Sequence, residues 1–177
     1  MPPTYKVGIL TISDAGARGE RADGSGNAAE TWARDRGYDV TVRKLVPDDS
    51  AEIVSTLAEW CDQRVADLVL TTGGTGLSDR DVTPEATRAV IERDAPGIAE
   101  RLRMLSAERF PRAALSRGLS GVRKKTLIVN LPGSTSGVTD GLAALAPIVD
   151  HAIAVLRGEP LDHGGSPPPP PPTAAPR

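Results

Sequence analysis

The chain has 177 residues, enough for one domain with a substantial hydrophobic core. Its 21 Lys and Arg against 23 Asp and Glu leave a net charge of −2, which predicts no general attraction to nucleic acid or to an anionic membrane. A single cysteine, Cys61, excludes an internal disulfide framework and a Cys-rich zinc site, and suits a reducing compartment.

The opening MPPTYKVGILTIS carries one lysine and a short apolar run that ends in polar residues. It reads as neither signal peptide nor membrane span, so a soluble cytoplasmic protein is expected. Residues 5–12 read as a buried strand, followed by a loop rich in Gly, Arg and Asp as far as Gly26. A helix from about Asn27 to Arg36 should then end at Gly37, with Ser25 as its cap. Residues 38–46 alternate and are β-branched, a second strand. From Ser50 to Gln63, Ile53, Val54, Leu57, Ala58 and Trp60 lie at helical spacing; Cys61 in that helix reads as an inert thiol. Residues 67–72 form the third strand and feed the loop TTGGTGLSDRDVTPEAT.

Two helical stretches follow, 84–94 and 97–109, separated by Ala95-Pro96-Gly97. The basic run from Arg117 to Lys125 reads as a solvated edge. Residues 125–131 form another strand, then Pro132-Gly133 lead into an Ala/Leu-rich helix ending near Leu156. Its apolar surface is wider than one core-facing stripe, which predicts self-association. Strands alternating with helices predict an α/β fold with a mostly parallel sheet between helix layers, its ligands beyond the carboxyl ends of the strands. Residues 1–163 make the domain, and the Pro-rich tail 164–177 is expected to be extended and mobile.

Two phosphate-binding motifs are excluded. Gly76 is followed by Leu77-Ser78 rather than Lys-Ser/Thr, and Asp79 stands where a dinucleotide fingerprint needs glycine. What remains is Gly73-Gly74-Thr75-Gly76 at a strand end, where backbone amides can face an anion without a Cβ in the way; a plain reversing turn is the alternative. Thr83-Pro84 read as the cap and first position of the next helix, which leaves Asp81 without a structural role. Asp49 and Glu52 have capping-box spacing, which leaves Asp48 likewise. Two free carboxylates on one sheet edge could share a Mg²⁺ that also touches phosphates. Ser13, Asp14 and Asp23 stand at the same edge as candidate substrate-binding residues, and Pro132-Gly133-Ser134 offer a second anion nest. His151 and His163 have no partners at metal-ligand spacing.

The run TTGGTGLSDRDVTPEAT closely resembles the signature of the MogA/MoaB-type molybdopterin adenylyltransferases. The resemblance spans about residues 5–157. It takes in Ser13-Asp14, Asp23-Gly24-Ser25-Gly26, Leu45 to Asp48, Gly97, Leu115-Ser116-Arg117 and Asn130 to Gly133. It implies a three-layer α/β/α sandwich, usually a homotrimer, that transfers AMP from ATP to the terminal phosphate of molybdopterin with Mg²⁺ and releases pyrophosphate. The product would then pass to a molybdenum-insertion protein. By resemblance, Asp48 and Asp81 are the essential acidic residues, Gly73, Gly74, Thr75 and Gly76 contact nucleotide, and Ser116, Pro132, Gly133 and Ser134 lie against substrate. The sequence departs from many relatives at Ser134-Thr135, where they carry an amide-proline pair, and in its six-proline tail. A non-catalytic pterin carrier or scaffold of the same fold is the competing reading.

Overall fold

The structure, a computed structural model, describes residues 4–160; His163 and the Pro-rich segment 164–177 lie outside the described residues. The aliphatic runs form strands β1 (Lys6–Ile12), β2 (Asp39–Val46), β3 (Leu68–Thr72) and β6 (Thr126–Leu131). Two short strands, β4 (Arg93–Asp94) and β5 (Ser120–Arg123), complete one sheet of order β2-β1-β3-β6-β5-β4. The first four are mutually parallel, whereas β5 runs antiparallel to both β6 and β4.

Side chains alternate across this sheet, as a period of two requires. A one-turn helix, α1 (Asp14–Ala17), follows β1. Val7, Ile9, Leu68, Leu70, Leu127, Val129 and Leu131 belong to one core layer, under α2 (Gly24–Asp35), α5 (Pro96–Arg109) and α6 (Thr135–Arg157). Leu10, Ile12, Val69 and Ile128 face the other layer, under α3 (Ser50–Asp62) and α4 (Thr83–Val90). The result is a three-layer α/β/α sandwich. Each fully buried aliphatic side chain contributes about 1.5–3 kcal/mol, so these two layers dominate stability. Gly8 lets α3 approach: a Cβ there would stand 3.0 Å from the Trp60 ring.

Several expectations are corrected. The stretch 84–94 is not one helix; α4 stops at Val90, and Arg93–Asp94 pair with β5. The run from Arg117 to Lys125 is a solvated edge only at Lys124 and Lys125, because residues 120–122 are buried in β5 and hairpin back onto β6. Asp23, not Ser25, caps α2, accepting from the Gly26 amide at 2.9 Å. Ser25 is buried and shares a 2.9 Å hydrogen bond with the Thr72 hydroxyl. Part of the wide apolar surface of α6 is buried in the core, where Val138, Leu142, Leu145, Val149 and Ile153 face the sheet, while Ala143 and Val155 stay exposed. By length and composition alone α6 could cross a membrane, but here it packs on the sheet. The helix runs through Pro147, and Arg101 Nε donates to the Ala144 carbonyl just before that proline at 2.9 Å.

Candidate functional site

Every parallel strand ends at the same edge, and the loops that follow build the site. Gly73 and Gly74 leave β3 with φ of +94° and +64°, which L side chains rarely adopt. The Gly73 amide donates to the Leu131 carbonyl at 3.1 Å, Thr83 Oγ1 donates to the Gly73 carbonyl at 2.9 Å, and the Thr83 amide donates to the Gly74 carbonyl at 3.1 Å. Thr83 was expected to cap α4, but its hydroxyl pins the glycine loop, and α4 has no side-chain cap. The loop's carbonyls at 73 and 74 are thus turned toward the protein. The amides of Gly74, Thr75 and Gly76 donate to no acceptor among the described residues. Gly133 lies against this loop; a Cβ on it would be 3.2 Å from the Gly73 Cα.

Both carboxylates face the loop. A Cβ on Gly74 would be 3.1 Å from Asp48 Oδ1, and one on Gly76 would be 2.8 Å from Asp81 Oδ2. Neither aspartate is without local contacts, contrary to expectation. Asp48 Oδ2 accepts from the Asp14 amide at 2.9 Å, and Asp81 Oδ2 accepts from the Ser78 amide at 2.9 Å. Asp49 caps α3 as expected, accepting from the Glu52 amide at 2.9 Å. Burial raises the Asp48 carboxyl above the ordinary range; the Asp14 amide opposes this, the Asp14 and Asp81 charges add to it, and Arg80 opposes it. Asp14 moves the other way, held low by the Asp48 backbone amide and then by Arg80.

Two clefts meet here. The smaller, about 450 Å³, holds Ser13, Arg21, Asp23, Asp48, Gly73 and Thr135. The larger, about 800 Å³, reaches from Thr75, Gly76, Ser116, Asn130 and Pro132 to the α5 side chains Leu102 and Arg103 and to Phe110. Gly74, Asp81, Gly133 and Ser134 line both. Asp14 lines neither. Ser13 and Ser134 each cap a helix, accepting from the Gly16 and Gly137 amides at 3.0 and 3.1 Å. Asp23 is committed to its cap, to the Thr11 hydroxyl and to Arg43 at 2.7 Å.

The side chains that hold these loops in place have no local signal in the sequence. Arg117 Nε donates to the Gly76 carbonyl and its Nη2 to the Asp81 carbonyl, each at 2.7 Å, and Nη1 pairs with Glu85. Asn130, 4% exposed, donates to the Thr71 and Thr87 hydroxyls and accepts from the Leu119 amide, joining β3, β6 and α4. Arg103 donates to the Gly118 carbonyl at 2.7 Å beside Ser116. The only sequence signal for Arg117 and Asn130 was their place in the shared motifs. Among the described residues no group of three His, Cys, Asp or Glu could hold a metal, so any cation here would rest on Asp48 and Asp81 with substrate oxygens completing its shell. That two-carboxylate, all-oxygen set suits Mg²⁺, which usually keeps few protein ligands beside phosphates.

Comparison with known proteins agrees with this geometry. The family model described as "Probable molybdopterin binding domain" matches residues 8–151. The chain is 42% identical over 142 residues to the molybdopterin adenylyltransferase of Escherichia coli, covering 78% of this chain and 72% of that protein. It is 36% identical over 157 residues to the Helicobacter pylori enzyme of the same name, covering 88% and 89%. Among solved structures it is similar to the molybdopterin biosynthesis enzyme MoaB of Thermus thermophilus, with 46% identity and a TM-score of 0.84. That likeness covers 89% of this chain and 99% of that one.

Proposed function

The chain belongs to the probable molybdopterin binding domain family, and on that premise we propose that it is a molybdopterin adenylyltransferase of molybdenum cofactor biosynthesis. In this reaction a terminal phosphate oxygen of molybdopterin attacks the α-phosphorus of ATP. The bond to the β-phosphate breaks, and pyrophosphate leaves. The observation that carries the reading is the meeting of two clefts at Gly74, Asp81, Gly133 and Ser134, where two substrates can be brought end to end.

The attacking phosphate is already ionised near neutral pH, so no general base is needed. The work left to the protein is alignment of anions. The amides of Gly74, Thr75 and Gly76 supply fixed donors without a lysine, and the first turn of α6 at Ser134 supplies a second anion-facing end. Asp48 and Asp81 would hold Mg²⁺, which when bound supplies positive charge that offsets repulsion between the phosphates. Without a cation those two carboxylates would repel the very ligands the amides attract, and this is the support for the metal. Arg117 keeps the Asp81 segment in place from the opposite flank.

Single-turnover transfer of labelled AMP from ATP to molybdopterin is the test. Transfer with stoichiometric pyrophosphate release is the expected result; binding of both ligands with no transfer would leave a carrier. We further propose a homotrimer that passes its product to a molybdenum-insertion protein. Met104 on α5, exposed and outside both clefts, and the exposed Val155 on α6 support the assembly. Sedimentation equilibrium should give three times 18.5 kDa; a clean monomer at micromolar concentration would reject it.

A further inference from the structure

We infer that the Asp14–Arg80 ion pair is a clasp that sets the separation of the Asp48 and Asp81 carboxylates, with Asp14 a positioning residue; this rests on the reading that those two carboxylates hold the cation. Arg80 Nε donates to Asp14 Oδ2 at 3.0 Å, and its Nη2 donates to both Asp14 oxygens at 2.9 Å. Asp14 in turn is locked to Asp48 by a reciprocal exchange: the Asp14 amide donates to Asp48 Oδ2 at 2.9 Å, and the Asp48 amide donates to Asp14 Oδ1 at 3.0 Å. Arg80 is the residue that precedes Asp81. A chain of contacts therefore runs from one carboxylate to the other around the outside of the glycine loop.

Core packing does not reach the segment that leads into Asp81. Residues 77 to 80 are all exposed. Among the described residues their contacts are the Ser78–Asp81 turn, an Arg80 amide to Ser78 Oγ bond at 3.3 Å, Arg117 on one flank and Arg80 on the other, while the buried Thr83 anchors the chain only beyond Asp81. The Arg80 side chain is 66% exposed, so as a stabilising element the pair contributes little. A planar fork on a carboxylate fixes direction as well as distance, and an ammonium does not. Asp14 also lines neither cleft, and its carboxylate is already occupied by Arg80 and by the Asp48 amide. These facts fit a residue that acts through Asp48 and not by touching substrate.

The test measures binding of Mn²⁺ together with α,β-methylene ATP by electron paramagnetic resonance, in the full chain and in Arg80→Ala, Asp14→Asn and the double variant. Asn at position 14 can still accept from the Asp48 amide, so this change isolates the ion pair. Each single variant should weaken Mn²⁺ binding about tenfold, in the range typical for residues that orient metal ligands. The double variant should lose no more than either single one, because one clasp is broken once. Arg80→Lys should recover only part of the loss, and melting temperature and pterin affinity should stay at parent values. Parent-like Mn²⁺ binding in both single variants, with loss in Asp48→Asn, would overturn the clasp alone. Retention in Asp48→Asn as well would overturn the metal reading and the clasp with it. A double loss equal to the product of the single ones would show two separate roles and reject the clasp.

Discussion

Gly73 lies so close to Ile12 that a Cβ on the glycine would overlap the Ile12 carbonyl oxygen. The glycine loop therefore rests backbone to backbone on the end of β1, at a φ of +94°. Gly73→Ala must both strain the backbone and push β1 away, which should cost roughly 3 kcal/mol or more. In a domain of this size that lowers the melting temperature by about 6–12 °C. Gly19 is the control: its φ of +73° is also left-handed, but a Cβ there meets nothing within 4 Å. Gly19→Ala should cost only about 1–2 kcal/mol. Equal losses at the two positions, measured by thermal unfolding, would show that the loop does not depend on this contact.

Asp23 should behave as a structural residue first. Its carboxylate caps α2, accepts from the Thr11 hydroxyl and pairs with Arg43. Asp23→Ala removes the cap and leaves the buried Thr11 hydroxyl without its acceptor, for a loss of about 2–3 kcal/mol. Asp23→Asn keeps an oxygen at the cap and should lose less than half as much. Denaturant titration checks the order. If Asp23→Ala instead kept parent stability and lost only substrate affinity, its place in the smaller cleft would be its main role.

The strand ends and their loops were legible because glycine, hydroxyl and carboxylate residues cluster directly after apolar runs. That Asp48, Asp81 and the glycine loop share one sheet edge follows from that pattern and from parallel topology. What sequence did not reveal depends on contacts distant along the chain. Residues 120–123 look like loop because Ser120 and Gly121 stand beside charged residues; the strand exists because β6 pairs with it. Ser25 and Asp23 are two residues apart and both can cap, and only Thr11, Arg43 and Thr72 decide between them. Arg117 looked like one more surface charge, since its carbonyl acceptors lie 36 and 41 residues away. Thr83 was misjudged because its hydroxyl is taken by the Gly73 carbonyl of the glycine loop instead of capping α4.

Cys61 should give the protein an alkaline instability and no reactivity. It is fully buried, and burial pushes its thiol up to about 11, while an unfolded thiol titrates near about 8.5. Between these values the unfolded chain releases a proton that the folded chain retains. The Cys61 contribution to stability is therefore flat below about pH 8.5 and falls as pH rises toward 11, by up to about 1.4 kcal/mol per pH unit. Tyr38, pushed up to about 12 by burial and its Asp150 contact, adds to the loss only above about pH 10. Urea titrations at pH 8, 9 and 10 should show the slope in the parent and lose most of it in Cys61→Ala. Alkylation of the native protein by iodoacetamide at pH 8 as fast as a free thiol would contradict this burial.

The final prediction separates catalysis from binding. Asp81→Asn keeps an oxygen that can accept from the Ser78 amide, so the turn should survive while the charge facing Gly76 is lost. If that charge helps hold Mg²⁺, AMP transfer should slow on the order of a hundred- to several-thousand-fold, equivalent to about 3–5 kcal/mol. Asp48→Asn should behave alike, and because burial disfavours its charge, it should not lower stability in the absence of ligands. The double variant should fall well short of the product of the two defects if both residues serve one ion. Asp49→Asn, which can still cap α3, should leave turnover nearly intact. If the pterin is held mainly by other loops, molybdopterin affinity should change little in any of the four. Asp81→Asn turning over at the parent rate would remove Asp81 from the reaction. A loss of pterin binding instead would place that carboxylate against the substrate, leaving the metal to Asp48 alone.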